Sequence, residues 1–167
     1  MLIASNYLSS SHHGRGILLG GISGVPPARV VIIGAGMVAE SAANTAIGLG
    51  ATVQVFDNSL YRLMRLQHNI RQRIYTSVIN TKLLEKELMG ADVVIGALKP
   101  VNGVTPVVVT EEMVSNMKPG SIIVDVRIDR GGCIETSRVP THENPVYKKH
   151  GIIHYCVPNI SSGFSRT

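Results

Sequence analysis

Apolar residues fall in short β-branched runs separated by stretches with helical spacing. Val30-Val31-Ile32-Ile33 is continuous and ends on glycine, as suits a central strand buried on both faces of a parallel sheet. Met37 to Leu49 then sets Ala42, Ala43, Ala46, Ile47 and Leu49 on a small-residue helical face, with Gly50 as its stop. A second strand, Thr52 to Phe56, ends on Asp57. Ser59 is placed to cap a helix reaching about Arg73, with Leu60, Leu63, Met64 and Leu66 inward and Arg62, Arg65, Arg71 and Arg73 outward. Ile74 to Ile79 predicts a third strand, Lys82 to Met89 a short helix and Asp92 to Gly96 a fourth strand. Thr110 caps a helix to Met117, the turn Lys118-Pro119-Gly120 announces a fifth strand at Ser121 to Asp125, and Ile152 to Cys156 is the last. This alternation predicts an α/β fold of the doubly wound Rossmann type, a single domain with a mostly parallel sheet and helices on both faces.

Residues 1–27 break the pattern. They are rich in Ser and Gly, close on Pro26-Pro27, and read as a helix end and linker entering a domain that occupies residues 28–167. The whole chain, 167 residues, is the size of one domain. No run is long enough for a membrane span, and Met1 to Ser11 lacks the basic and apolar segments of an export signal. The sequence therefore predicts a cytoplasmic protein. A net charge of +5 raises nucleic acid as a partner, but the Arg and Lys are scattered and stacking aromatics are scarce, so that class is excluded. Cys133 and Cys156 have neither CxxC spacing nor a histidine cluster and read as buried thiols, with no metal site.

Chemistry enters at Gly34-Ala35-Gly36-Met37-Val38-Ala39, which follows the first strand and opens the first long helix. In that setting G-x-G-x-x-A is a dinucleotide signature. Gly34 permits the tight turn, Gly36 lets a pyrophosphate approach backbone, and Ala39 keeps helix and strand close. The phosphate would then lie on free N–H groups at the helix N-terminus. Asp57 stands 23 positions after Gly34 at the end of the second strand, where a carboxylate accepts the ribose hydroxyls of NAD and repels the extra phosphate of NADP. Arg62 and Arg65 nearby weigh against a strict preference.

Three further segments are Gly14 to Gly21, Ala91 to Ala97, and Met117 through Asp129 to Arg138. The last, with Val124-Asp125-Val126-Arg127-Ile128-Asp129-Arg130-Gly131-Gly132-Cys133 and followed by His154-Tyr155-Cys156-Val157, is the most specific. Together they resemble alanine dehydrogenases and the related α subunits of proton-translocating transhydrogenases, and the third segment favours the former. The resemblance covers essentially the whole chain. It implies NAD as cofactor and, in a protein about twice this length, reversible oxidative deamination of L-alanine to pyruvate and ammonia. A separate substrate domain would supply the catalytic histidine and the Arg and Lys that hold the amino acid, and the enzyme would be a homo-oligomer.

The same resemblance assigns Asp129 a catalytic or cofactor-positioning role beside the nicotinamide. Ala97, Leu98, Ile128, Val157, Asn159 and Ile160 line the nicotinamide half, and Gly34, Gly36, Met37, Val38 and Asp57 the pyrophosphate and adenosine half. None of His12, His13, His142, His150 and His154 corresponds to the family's catalytic histidine. The chain departs from the family at Lys99-Pro100-Val101-Asn102, at Arg130 and at Val157-Pro158-Asn159-Ile160. From the residues alone Asp129 could instead cap the Gly131-Gly132 turn. The transhydrogenase subunit and a non-catalytic NAD-binding module remain the alternative functions.

Overall fold

A computed structural model describes residues 1–9, 14–140 and 145–158. In chain order, helix α1 (Leu2–Leu8) leads to β1 (Arg29–Ile33), α2 (Met37–Gly48), β2 (Thr52–Asp57), α3 (Leu60–Ile70), β3 (Tyr75–Val78) and α4 (Thr81–Gly90). The second half runs β4 (Val93–Gly96), α5 (Glu111–Ser115), β5 (Ile122–Asp125), a 3-10 turn at Ile128–Arg130, β6 (Val146–Lys149) and β7 (Ile152–Tyr155). The seven strands form one sheet in the order β3-β2-β1-β4-β5-β7-β6, and every pairing is parallel except β6 with β7.

Strand alternation divides the core in two. Val30, Ile32, Val53, Val55, Val93, Ile95, Ile122 and Val124 face α1, α2 and α3, whereas Val31, Ile33, Phe56, Val94 and Ile123 face α4 and α5. The doubly wound sheet with helices on both faces is thus as the sequence predicts. Ala39, Ala43 and Ala46 are fully buried along α2, and with no longer side chains between them the helix lies close on the strands.

Side chains cap the starts of α3, α4 and α5. Ser59 Oγ accepts from the Arg62 amide at 3.3 Å, Asn80 Oδ1 from Leu83 at 3.1 Å, and Thr110 Oγ1 from Met113 at 3.3 Å. These bonds satisfy amides that a helix's first turn leaves unpaired.

Helix α3 departs from expectation twice. It stops at Ile70, because Arg71 takes a left-handed conformation with φ 52°, not at Arg73. Leu60 and Met64 are exposed instead of inward, since a helix on one side of a sheet buries a single stripe, here Leu63, Leu66 and Ile70. Strand β6 was not predicted. Its Val-Tyr-Lys-Lys sequence has no apolar run, and it is an edge strand joined to β7 by a tight turn whose residues, His150 and Gly151, both have positive φ.

Candidate functional site

In an open parallel sheet a ligand lies outside the carboxyl ends of the strands, where neighbouring crossovers leave in opposite directions. Here that crevice falls between β1 and β4, since β1 leads to α2 on one face and α4, on the other, precedes β4. Gly34, Gly36, Met37 and Val38 follow β1, Asp57 ends β2, Ala97 and Leu98 follow β4, Ile128 and Asp129 follow β5, and Val157 follows β7. All of these loops leave the same sheet edge. Asn159 and Ile160 lie outside the described residues.

The two motif glycines differ in kind. Gly34 has φ 115°, and a Cβ there would overlap the Ala97 carbonyl. Its amide donates to Phe56 O at 2.6 Å, so this glycine fixes the turn between neighbouring strands. Gly36 has ordinary φ of −82°, and a Cβ there would meet nothing within 4 Å. Gly36 therefore keeps open a space at the N-terminus of α2, where it caps the helix without a side-chain bond. Met37 and Val38 beside it are exposed. First-turn amides without a side-chain partner, facing an open cradle, fit an anionic pyrophosphate. A cavity of about 390 Å³ lined by Val38, Ala42, Ile95, Val124 and Val126 adjoins this helix start. A larger one of about 600 Å³, lined by Arg15, Leu18, Ile22 and Lys118, borders the first residue of β1 at the opposite sheet edge, away from these loops.

Asp57 is completely buried. Its Oδ2 accepts from the Ala35 amide at 2.8 Å and its Oδ1 from Ser59 at 2.7 Å. Arg62 adds a fork, Nη2 to Oδ1 at 2.7 Å and Nε to Oδ2 at 3.2 Å. The carboxylate is thereby paired before any ligand arrives. Arg62 and Arg65, expected to face outward, are half-buried and turned onto this corner, and Arg65 Nη2 donates to Ala35 O at 3.3 Å. Both arginines belong to this corner of the structure, which their outward assignment missed. Their signal was a three-residue spacing on the helix directly after the acid-bearing strand.

After β5 two aspartates separate in role. Asp125 is fully buried and accepts from the Arg127 amide at 3.0 Å and the Cys133 amide at 3.1 Å. Burial raises its pKa, and those amides oppose the rise. Asp129 is half exposed and pairs with Arg130 Nε at 3.6 Å. The Gly131-Gly132 turn is closed by backbone, Gly131 N to Ile128 O and Gly132 N to Arg127 O. Asp125 thus ties the loop, and the Asp129 carboxylate, taking no part in that turn, is left half exposed at the strand ends beside Arg130.

Other expected linings are core. Ala97 and Leu98 are buried, Leu98 in the cluster that faces α4 and α5, and Ile128 is nearly so. His154 is buried between Thr136 and Ile152, and desolvation lowers its pKa to about 4. Burial pushes both thiols up, with Asp125 adding to the effect at Cys133, so they are poor nucleophiles. Among the described residues no group of His, Cys, Asp and Glu could hold a metal, and no helix is long and apolar enough to cross a membrane.

Comparison with known proteins of similar sequence shows the family. The family described as alanine dehydrogenase/PNT, C-terminal domain, matches residues 1–167. An alanine dehydrogenase from Halomonas elongata is 45% identical over 160 residues, covering 96% of this chain and 43% of that protein. A solved L-alanine dehydrogenase superposes with a TM-score of 0.92 at 40% identity, over 97% of this chain and 45% of its own. A transhydrogenase from Sinorhizobium meliloti superposes with a TM-score of 0.72 at 25% identity, over 84% of this chain and 41% of its own. The chain spans less than half the length of these relatives. It belongs to the alanine dehydrogenase/PNT C-terminal-domain family.

Proposed function

We propose that this chain is the NAD(H)-binding domain of an alanine dehydrogenase, which as a full-length cytoplasmic homo-oligomer interconverts L-alanine with pyruvate and ammonia. The observation that carries this reading is the open cradle at Gly36, free of any Cβ at the N-terminus of α2, on the sheet edge from which Asp129 also projects. Gly34 shapes the turn, Gly36, Met37 and Val38 offer amides to the pyrophosphate, and Asp57 with Arg62 meets the adenosine ribose. The loops at Ala97-Leu98, Ile128 and Val157, joined by Asn159 and Ile160, form the nicotinamide half through their backbone, the side chains of Ala97, Leu98 and Ile128 being buried behind it. Bound NAD would supply the hydride acceptor. Asp129 presents a carboxylate beside it, available to hold a cationic group or a proton at its oxygens. Holding the cofactor rigidly against a second domain turns the reaction into one between preplaced groups. In this reading residues 1–27 lead in from that domain, whose side chains orient the alanine, so this chain by itself reduces no NAD with alanine.

Titration of the chain with NADH, followed by calorimetry or by quenching and shift of the reduced nicotinamide's fluorescence, tests the binding step. Saturable one-to-one binding supports the reading, and no binding at millimolar NADH overturns it. Alanine-dependent NADH formation by the full-length enzyme, absent from the chain alone, tests the rest.

A further inference from the structure

The corner that should receive the adenosine ribose has an unexpected charge balance. Asp57 is paired with Arg62, and a second guanidinium, that of Arg65, bonds the Ala35 carbonyl on the residue whose amide Asp57 accepts. Arg62 already neutralises Asp57 through its fork. Arg65 is half-buried against the glycine turn, its Nε enclosed without a hydrogen-bond partner and its Nη2 on the Ala35 carbonyl. No carboxylate among the described residues lies within ion-pair distance of it. The other nearby acid, Glu40 in the first turn of α2, is occupied by Asn69 Nδ2 at 3.1 Å. A partly desolvated cation without a counter-ion is costly, and an anion on the ligand relieves that cost.

A corner built for NAD alone presents an unpaired acid that takes the ribose hydroxyls and repels a 2′-phosphate, whereas arginine accommodates that phosphate. Here the acid is paired and the unpaired charge is positive. We infer that Arg65, with Arg62, forms a subsite for the 2′-phosphate of the adenosine ribose, so that the chain binds NADP(H) as well as NAD(H). The guanidinium of Arg65 offers the phosphate a fork of N–H donors, and Asp57 keeps its amide partners while Arg62 shares its charge with the incoming anion. This inference rests on the nucleotide-binding reading above and adds to it the breadth of cofactor use.

The test is calorimetric titration of the chain with NADH, NADPH, 5′-AMP and 2′,5′-ADP, the last pair reporting on the adenosine side without a nicotinamide. The expected result is an NADPH Kd within tenfold of that for NADH, and 2′,5′-ADP binding tighter than 5′-AMP. Arg65→Gln, which removes the charge and the fork of donors, should weaken NADPH and 2′,5′-ADP by at least tenfold while moving NADH less than threefold. Arg65→Lys, which retains the charge, should recover most of the loss. NADH binding with NADPH more than tenfold weaker would overturn the inference and leave the NAD reading intact. Equal weakening of both dinucleotides by Arg65→Gln would also overturn it, by assigning Arg65 to the turn. Failure of all four ligands to bind would remove the nucleotide reading, and this inference with it.

Discussion

Asp125 and Gly132 are packed so closely that a Cβ on Gly132 would lie 2.5 Å from Asp125 Oδ2. Gly132 also has φ 72°, and the same oxygen accepts from the next amide, Cys133, at 3.1 Å. The carboxylate therefore holds the loop that carries Asp129 against the end of β5. Gly132→Ala should destabilise the chain by about 2 kcal/mol through backbone strain and displacement of this acceptor. Urea unfolding measures the loss, and an unchanged midpoint would show that the loop does not depend on this contact.

The two glycines of the dinucleotide turn should separate stability from binding. Gly34→Ala places a side chain against the Ala97 carbonyl at φ 115° and should cost about 2–4 kcal/mol. Gly36→Val enters open space, so stability should change by less than about 1 kcal/mol. NADH affinity should nevertheless fall by about tenfold or more, because the branched side chain occupies the pyrophosphate's approach. Unfolding curves and NADH titrations on both variants check this, and unaltered affinity in Gly36→Val would place the phosphate elsewhere.

Much of this was legible in the sequence because strand, turn, helix and acid follow one another locally. Val30 to Ile33, the glycine pair and Asp57 are each determined by neighbours a few residues away, and the two faces of the sheet follow from alternation. The environment of Asp57 was not legible, because its partners Ala35 and Arg62 lie on different elements and side-chain pairing across elements leaves no periodic trace. Strand β6 was hidden for a related reason. An edge strand with exposed lysines needs no apolar run, and only the turn at His150-Gly151 announces it. The division between Asp125 and Asp129 likewise left no trace in the sequence, since both are aspartates leading into the same glycine turn and only burial separates them.

His154 should make stability depend on pH. It is fully buried, bonded to Thr136 Oγ1 at 2.8 Å and stacked on Tyr147, with its pKa lowered by desolvation from 6.5 to about 4. The unfolded chain takes up a proton below pH 6.5 that the folded chain refuses until about pH 4. Its contribution is thus fully present above pH 6.5 and is lost as pH falls through that window, by about 3 kcal/mol in total. Chemical denaturation at pH 7.5 and pH 4.5 should show a smaller pH-dependent difference for His154→Gln than for the natural chain. Identical differences would mean that His154 titrates alike in both states.

Asp129 tests the chemistry most directly, because its surroundings remove the alternative of a turn-capping acid. The Gly131-Gly132 turn is closed by backbone bonds and by Asp125, and the Asp129 side chain is half exposed, paired with Arg130 at 3.6 Å. Asp129→Asn should therefore leave the chain's unfolding midpoint and its NADH affinity almost unchanged. In the full-length enzyme proposed above, the same variant would remove a negative charge from beside the reacting groups, where it would stabilise a developing cation or hold a proton. The expected loss is on the order of 10²-fold in kcat with little change in KM for NADH. Steady-state kinetics with alanine and NAD, set beside NADH titration of the isolated chain, separate the two effects. Near-normal kcat would leave Asp129 without a catalytic role, whereas a loss of NADH affinity matching the loss of kcat would make it a cofactor-positioning residue.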